Sequence, residues 1–390
     1  AWIRATDTAF SSTAKDDEIE AWLPVVETDR SFAAVDGSRI VGTSAAITFR
    51  MMVPGGARVP TAGVTMVGVH PTHRRRGINT RMMTAIIDQA ADRGEPLAAL
   101  FASEGAIYGR FGYGLAGLLG EFQAESARMA FVRGYEPGGR TVLIPKDEAM
   151  PVIDRVYEAS MRPGGVERNI ALRDQNFATV GEDKDRSWMY AVHFDDADEA
   201  DAYAVYWVKH DWPRSVPSGT INVKECAAST PSGYADIWRF LFDMDLVSTV
   251  EAWNRPADDP LLHLVREPRR LRFSLMDGLW LRVVNVAAAL EARRYSAEGR
   301  VVFGVTDPLR PETSGTYELV AEGGVGRCSP TDEPVDLAGT INVLGATYLG
   351  GSSFLQLWWA GQVEERTPGS LVLADAMFAS TPAPWCLVDF

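Results

Sequence analysis

Cysteine is scarce in this sequence of 390 residues: Cys226, Cys328 and Cys386 are the three present, odd in number and widely scattered. A disulfide framework needs paired cysteines, so none is expected, and a reducing, cytoplasmic setting is. Positive charge is also in deficit, with 38 Lys and Arg against 52 Asp and Glu and a formal net charge of −14. Such a surface repels nucleic acid and anionic lipid heads and favours cationic small molecules. No apolar run is long enough to span a bilayer. The opening residues, Ala1 to Asp7, lack the basic head and apolar core of a signal peptide. Neither nucleic acid nor membrane is therefore expected as a partner. No Gly-x-Ser-x-Gly elbow is present. His70 and His73 lack a Cys or carboxylate at metal-ligand spacing, so no metal is expected. His193, His210 and His263 read as structural or surface residues.

What the chain does have is a strand, a basic glycine loop and an amphipathic helix in direct succession. Val64 to Val69 is strand-like, and Pro71 ends it. Arg74, Arg75, Arg76 and Gly77 form the loop. Apolar residues then recur at Ile78, Met82, Met83, Ile86, Ile87 and Ala90, which is helical spacing, with Gly94 at the C-cap position. Free N–H groups and the positive end of the macrodipole make such a helix start suited to a pyrophosphate. Gly77 allows close backbone approach, and the arginines add charge-assisted donors.

The length implies two or three domains. The first region reads as α/β: a helix within Phe10 to Leu23, a hairpin of Phe32 to Val35 and Ile40 to Phe49 joined by Asp36-Gly37 in a type I′ turn, and a second strand at Leu97 to Ser103. Gly112 to Gly117 formally matches GxGxxG, but a turn precedes it and a strand-like run follows, so nucleotide binding is not expected there. Met189 to Phe194, Ala202 to Trp212 and Gly219 to Ala228 are strand-like, with a helix-like run at Tyr234 to Val247. The connection Ala228 to Gly233 lacks an arginine cluster. In the last third, Val301 to Val305 and Thr316 to Val320 are strand-like. Ser353 to Glu365 carries an aromatic-rich apolar face, and Thr367-Pro368 reads as a helix N-cap with Pro at the first position.

The run from Val64 to Ile78 resembles motif A of the GCN5-related N-acetyltransferases, the GNAT family, with Asn79 standing where the pattern has Gly or Ala. Phe101 to Tyr113 resembles the Eis (enhanced intracellular survival) branch of that family. Further matches are Thr61 to Gly63, Asp277 to Val286, Ala288 to Arg293 and Cys328 to Asp332. The resemblance covers nearly the whole chain. It implies an α/β (α+β) architecture of tandem GNAT domains, the second degenerate, followed by a domain resembling sterol carrier protein. The expected bounds are 1–133, 134–270 and 271–390.

The resemblance also implies chemistry. Acetyl-CoA would be the cosubstrate, held along Val67, Gly68 and Val69, by the loop and helix start Arg74, Arg75, Arg76, Gly77, Ile78, Asn79 and Thr80, and by Ser103 and Glu104. Tyr108 would be the general acid on the departing thiolate. The carboxylate of the last residue, Phe390, would be the general base; Pro382, Pro384 and the aromatic tail suit an extended, docked path. Phe10, Trp22, Met66 and Asp389 would line the amine pocket. Ser12 stands where the family has an acid, with Asp16 and Asp17 nearby. Cys386 carries no mark of an activated thiol. Aminoglycoside-like, polyamine or lysine-type amines would be acceptors, and a homohexamer the assembly. Two alternatives are a protein-lysine acetyltransferase and a noncatalytic acyl-CoA or lipid-binding protein.

Overall fold

In the computed structural model, which describes residues 1–132, 134–181 and 184–390, the chain forms two compact units. The first comprises residues 1–118, 162–181 and 277–390, the second 119–161 and 182–276. The expected first boundary, at residue 133, lies outside the described residues. No helix among the described residues is long and apolar enough to cross a membrane.

The first unit begins with α1 (Trp2–Ala9) and α2 (Asp16–Trp22). The helix expected within Phe10 to Leu23 is α2; ahead of it, Ser11 takes a left-handed backbone (φ 62°) just past the end of α1. The acidic run Asp16, Asp17 and Glu18 occupies the first turn of α2, where the macrodipole favours it. Strands β1 (Ser31–Asp36) and β2 (Arg39–Met52) form the expected hairpin. Its turn residues are Gly37 and Ser38, and of the two only Gly37 has a positive φ (58°). A type I′ turn needs positive φ at both, which the Cβ of Ser38 opposes.

Strand β3 (Arg58–Val69) pairs antiparallel with β2, helix α3 (Ile78–Asp92) follows, and β4 (Leu97–Phe101) lies parallel to β3. The second strand stops at Phe101 rather than Ser103. All six apolar positions read from the α3 periodicity are buried, and Gly94 follows the helix in a left-handed conformation (φ 72°). After α4 (Gly105–Tyr108) comes β5 (Gly114–Leu115). The sheet is completed from far along the chain: the strand Leu279–Val283 inserts between β4 and β5, antiparallel to both. No helix follows the GxGxxG match, since Leu118–Glu125 is strand. Gly114 serves packing: a Cβ there would sit 2.0 Å from the Asn342 carbonyl oxygen and 2.4 Å from the Ala346 nitrogen.

The rest of this unit includes a five-stranded sheet in the order Val325–Pro330, Gly315–Glu322, Gly299–Thr306, Leu337–Thr340, Val363–Glu365. Phe303, Phe354 and Phe378 pack against one another at 5.1 to 6.0 Å between ring centroids. The cavity beside Phe303 and Phe354 holds about 10 Å³, at most about one water. The expected cap at Thr367-Pro368 is replaced. Helix Ser370–Phe378 starts after Gly369 (φ 93°), and the Glu365 carboxylate accepts from the N–H groups of Gly369 (2.9 Å) and Leu371 (3.1 Å).

The second unit is built on a seven-stranded sheet in the order Ser274–Asp277, Leu118–Glu125, Val247–Pro256, Gly219–Ala228, Ala200–Lys209, Met189–Phe194, Arg140–Leu143. The expected helix Tyr234 to Val247 ends at Phe242 with Asp243 as its C-cap; Leu246 then turns left-handed (φ 65°) and Val247 opens a strand. Its fully buried Trp238 packs on Phe122 (5.3 Å) and stacks on Phe242 (5.8 Å).

Candidate active site

Two strands that begin paired and then part create the opening. β3 and β4 pair at Thr61, Gly63 and their partners Leu97 and Ala99, and no further. Beyond that point β3 bulges: Thr43 faces Gly68 while Ala45 faces Thr65, and Met66 takes φ 52°. The bulge is held from behind. Thr43 Oγ1 donates to the Met66 carbonyl (3.0 Å), and Thr6 Oγ1 donates to Thr43 (3.0 Å). Both threonines are buried.

The basic loop closes one end. His73 Nε2 meets Asp36 at 3.0 Å, and His70 Nδ1 meets Thr72 at 2.8 Å, so both histidines fasten the loop. His73 also holds the exposed Asp36 carboxyl below its ordinary pKa. Among the described residues no cluster of three or more His, Cys, Asp or Glu could hold a metal ion. Arg74 donates to the Ala9 carbonyl (3.0 Å), and Arg76 to the Thr72 carbonyl (3.1 Å). Arg75, held at φ 62°, makes no hydrogen bond or ion pair among the described residues and lines the cavity. Gly77 (φ 74°) is the N-cap of α3 and supplies no side-chain cap; a Cβ there would touch nothing, so glycine serves the backbone angle. The first helical bond runs from Arg81 N–H to the Gly77 carbonyl. The N–H groups of Ile78, Asn79 and Thr80 thus have no helical acceptor.

The cavity between these walls holds about 570 Å³. It gathers Val67, Gly68 and Val69 of β3, Arg74, Arg75, Gly77, Ile78, Asn79 and Thr80 of the loop and helix start, and Ser103, Glu104 and Tyr108 beyond β4. Phe10, 54% exposed, stands at its edge. Arg76, Met66, Trp22, Asp389 and Phe390 are not part of its lining. Arg110, in the segment that carries Tyr108, lines it without having been singled out from the sequence, as does Ile107; His73, weighed from the sequence only as a metal ligand, lines it too. Of the acids near Ser12, Asp16 pairs with Arg4, and Asp17 accepts from the Gly181 N–H at 3.2 Å.

Tyr108 is 6% exposed. Burial raises its pKa above that of a free phenol; a hydrogen bond with Ser103 opposes this, and the Glu104 charge adds to it. The phenol is therefore protonated at neutral pH and able to donate. Its segment is clamped by residues far along the chain. Asn342 Nδ2 donates to the carbonyls of Gly109 (2.6 Å) and Tyr113 (2.8 Å). Arg282, fully buried, donates to the Phe111 carbonyl (2.6 Å) and pairs with buried Asp307 (2.5 Å).

The end of the chain meets the point where β3 and β4 part. The Phe390 ring lies 4.9 Å from that of Phe49 and 5.5 Å from that of Phe101. A Cβ on Gly63 would approach it to 3.2 Å. Trp385, Cys386, Leu387 and Val388 are buried, and Trp385 N–H donates to the Pro163 carbonyl (2.8 Å). Burial pushes the Cys386 thiol up to about 12, so it is not a thiolate at neutral pH.

Comparison with known proteins fits this geometry. Family models match in three places: an acetyltransferase (GNAT) domain at 1–116, a second one at 164–283, and a sterol carrier protein domain at 286–387. An uncharacterized N-acetyltransferase of Streptomyces avermitilis is 40% identical, over 98% of this chain and 95% of its own. The N-acetyltransferase Eis of Mycobacterium tuberculosis is 34% identical, over 95% and 92% respectively. The chain belongs to the Eis branch of the GNAT family. Eis1 from Mycobacterium abscessus superposes with a TM-score of 0.85 at 31% identity, covering 100% of this chain and 96% of that one. This Eis-type chain is accordingly an N-acetyltransferase, with two GNAT domains and a sterol-carrier-like domain.

Proposed function

We propose that the protein transfers the acetyl group of acetyl-CoA directly to an amine of a small cationic acceptor: aminoglycoside-like, polyamine or lysine-type. The observation that carries this reading is the single cavity that joins an uncapped helix start, a free arginine and a protonated tyrosine. The residues fit the cosubstrate. The pyrophosphate of CoA lies on the N–H groups of Ile78, Asn79 and Thr80, with Arg74 and Arg75 beside it. The pantetheine arm follows Val67 to Val69, with Ser103 and Glu104 on the opposite wall. The acceptor enters past Phe10, Met66 and Trp22, with Asp389 near its ammonium.

The Phe390 carboxylate takes a proton from the ammonium, directly or through water. The neutral nitrogen attacks the thioester carbon, the carbon–sulfur bond breaks as Tyr108 donates its proton to the departing sulfur, and the nitrogen's surplus proton leaves through water, which returns a proton to the Tyr108 phenolate. One positioned acid contributes about 10²–10⁴-fold, and holding the two reactants together contributes more. The net charge of −14 favours a cationic acceptor. We keep the sequence division 1–133, 134–270 and 271–390, with the strand Leu279–Val283 donated by the third part to the sheet of the first. A homohexamer in the cytoplasm completes the reading.

The test is thiol release from acetyl-CoA with kanamycin, spermidine and a lysine peptide, on protein ending at Phe390. Tyr108→Phe is expected to lower kcat at least a hundredfold with CoA affinity within about threefold. A short extension after Phe390 is expected to do likewise. Full turnover in the extended protein would remove the carboxylate from the mechanism; unchanged kcat in Tyr108→Phe would remove the tyrosine.

A further inference from the structure

The second unit repeats, in its own sheet, the parting of two parallel strands that opens the transferase cavity. Gly219–Ala228 and Val247–Pro256 pair from Gly219 with Val247 to Val223 with Ala252, and no further. The ladder to Ala200–Lys209 shifts register between Val223 and Glu225, so Lys224 occupies a bulge. A groove of about 550 Å³ lies there, a size that suits a small molecule. It lies on the sheet face opposite the core. Phe122, Val223 and Ala252 pack toward Trp238, so the alternating residues Gln123, Asn222 and Glu251 face the other way.

The ligand here is not a pyrophosphate. The helix that follows the bulged strand, Pro231–Phe242, is capped by Thr230, whose Oγ1 accepts from the Gly233 N–H at 3.0 Å. Asp201 fills the space beyond: its carboxylate accepts from Thr230 and would lie 2.5 Å from a Cβ on Gly233. A carboxylate already occupies the anion's place. His193, 2.6 Å from Asp201, holds it there.

The groove offers three indoles and one unsatisfied cation. Trp188, Trp207 and Trp253 line it, and the Arg186 guanidinium lies 4.7 Å over the Trp207 ring. Most of the polar groups are engaged with one another. Ser274 donates to Glu121 (3.1 Å), Gln123 to Glu251 (2.5 Å), Arg272 to Glu125 (3.0 Å), and Asn222 to the Thr220 carbonyl (3.3 Å). Lys224, half-buried in the lining, has no hydrogen bond or ion pair among the described residues. Flat indole faces select a flat ring, and an unpaired ammonium selects an anion. With the carboxylates and amides already bonded, few groups remain for the hydroxyls of a sugar. We propose that this groove is a second ligand site, sharing no residue with the transferase cavity, that takes a small planar aromatic carboxylate.

The probe is 2-naphthoate, titrated calorimetrically into the full chain with saturating CoA present, against its neutral counterpart 2-naphthamide. One naphthoate is expected per chain. Lys224→Met is expected to weaken naphthoate about tenfold, roughly one ion pair's contribution, leaving naphthamide binding and acetyl transfer unchanged. Trp253→Ala, at an exposed ring, is expected to weaken both ligands. The proposal is overturned if naphthoate does not bind, if CoA displaces it, or if Lys224→Met affects both ligands equally. It is also overturned if maltose binds more tightly than naphthoate, or if Lys224→Met alters self-association while naphthoate affinity stays the same.

Discussion

Asn342→Ala isolates the most consequential long-range contact of the first unit. One amide donates two short hydrogen bonds, to the carbonyls of Gly109 and Tyr113, and so brackets the turn that follows Tyr108. Each such bond contributes about 1 kcal/mol net, and a partly buried carbonyl left unmet costs a similar amount. The loss is therefore about 2 kcal/mol, or roughly 4–8 °C in Tm for a unit of this size. The functional effect is expected to be larger than stability alone implies. Freed from the bracket, Tyr108 shifts relative to the cavity, and a misplacement of about 1 Å costs on the order of 10²-fold. The assay is steady-state thiol release well below the melting transition, with CoA affinity measured separately. The expected result is kcat down roughly 30- to 100-fold, with CoA affinity within about twofold, because Arg74, Arg75 and Gly77 lie on another segment. A variant that melts several degrees lower yet keeps its kcat would refute the claim that Asn342 positions the acid.

Three further outcomes follow from other parts of the molecule. Arg75→Gln is expected to raise KM for acetyl-CoA about tenfold with little change in kcat, since Arg75 has no competing partner; an unchanged KM would place the pyrophosphate elsewhere. Gly114→Ala is expected to cost about 1–3 kcal/mol through overpacking on Asn342 and Ala346, whereas Gly117→Ala, with no neighbour nearer than 3.5 Å, is expected to be nearly silent. Equal effects in thermal melts would contradict the packing account of this GxGxxG match. Burial lowers the His193 pKa, but hydrogen bonds to Asp201 and Gly138 and the charges of Asp201 and Asp236 outweigh it and raise the pKa overall. The stability this gives is fully present below the unfolded value of about 6.5 and is lost as pH rises through the higher folded value. Urea midpoints should fall across that window in the wild type and stay flat in His193→Gln; parallel profiles would refute the linkage.

The chemistry-bearing loop was legible because its determinants are local. A strand ended by Pro71 and the periodicity of Ile78 to Ala90 each act within a few residues, and both reappear in the structure; Gly77, read as allowing close backbone approach, proves to be left-handed. Where the local reading failed, backbone angles decided the outcome: Gly37 alone turned left-handed in the hairpin turn, and Gly369 moved a cap from Thr367 to Glu365. Composition does not encode which residue will accept a left-handed φ once its neighbours pack. Arg110 and Asn342 were invisible for another reason, since nothing in their own surroundings marks them.

By itself the sequence determined much of the succession of elements and the basic helix start, consequences of short-range periodicity, charge and turn chemistry, while its motifs carried the resemblance to the family. Only the tertiary structure decided that Leu279–Val283 fills the gap between β4 and β5, that Arg282 and Asn342 clamp the tyrosine segment, and that the Phe390 ring rests on Phe49 and Phe101. Each of these joins residues between roughly 170 and 340 positions apart. Loop-closure entropy opposes such contacts, and only the cooperative burial of a whole core selects them.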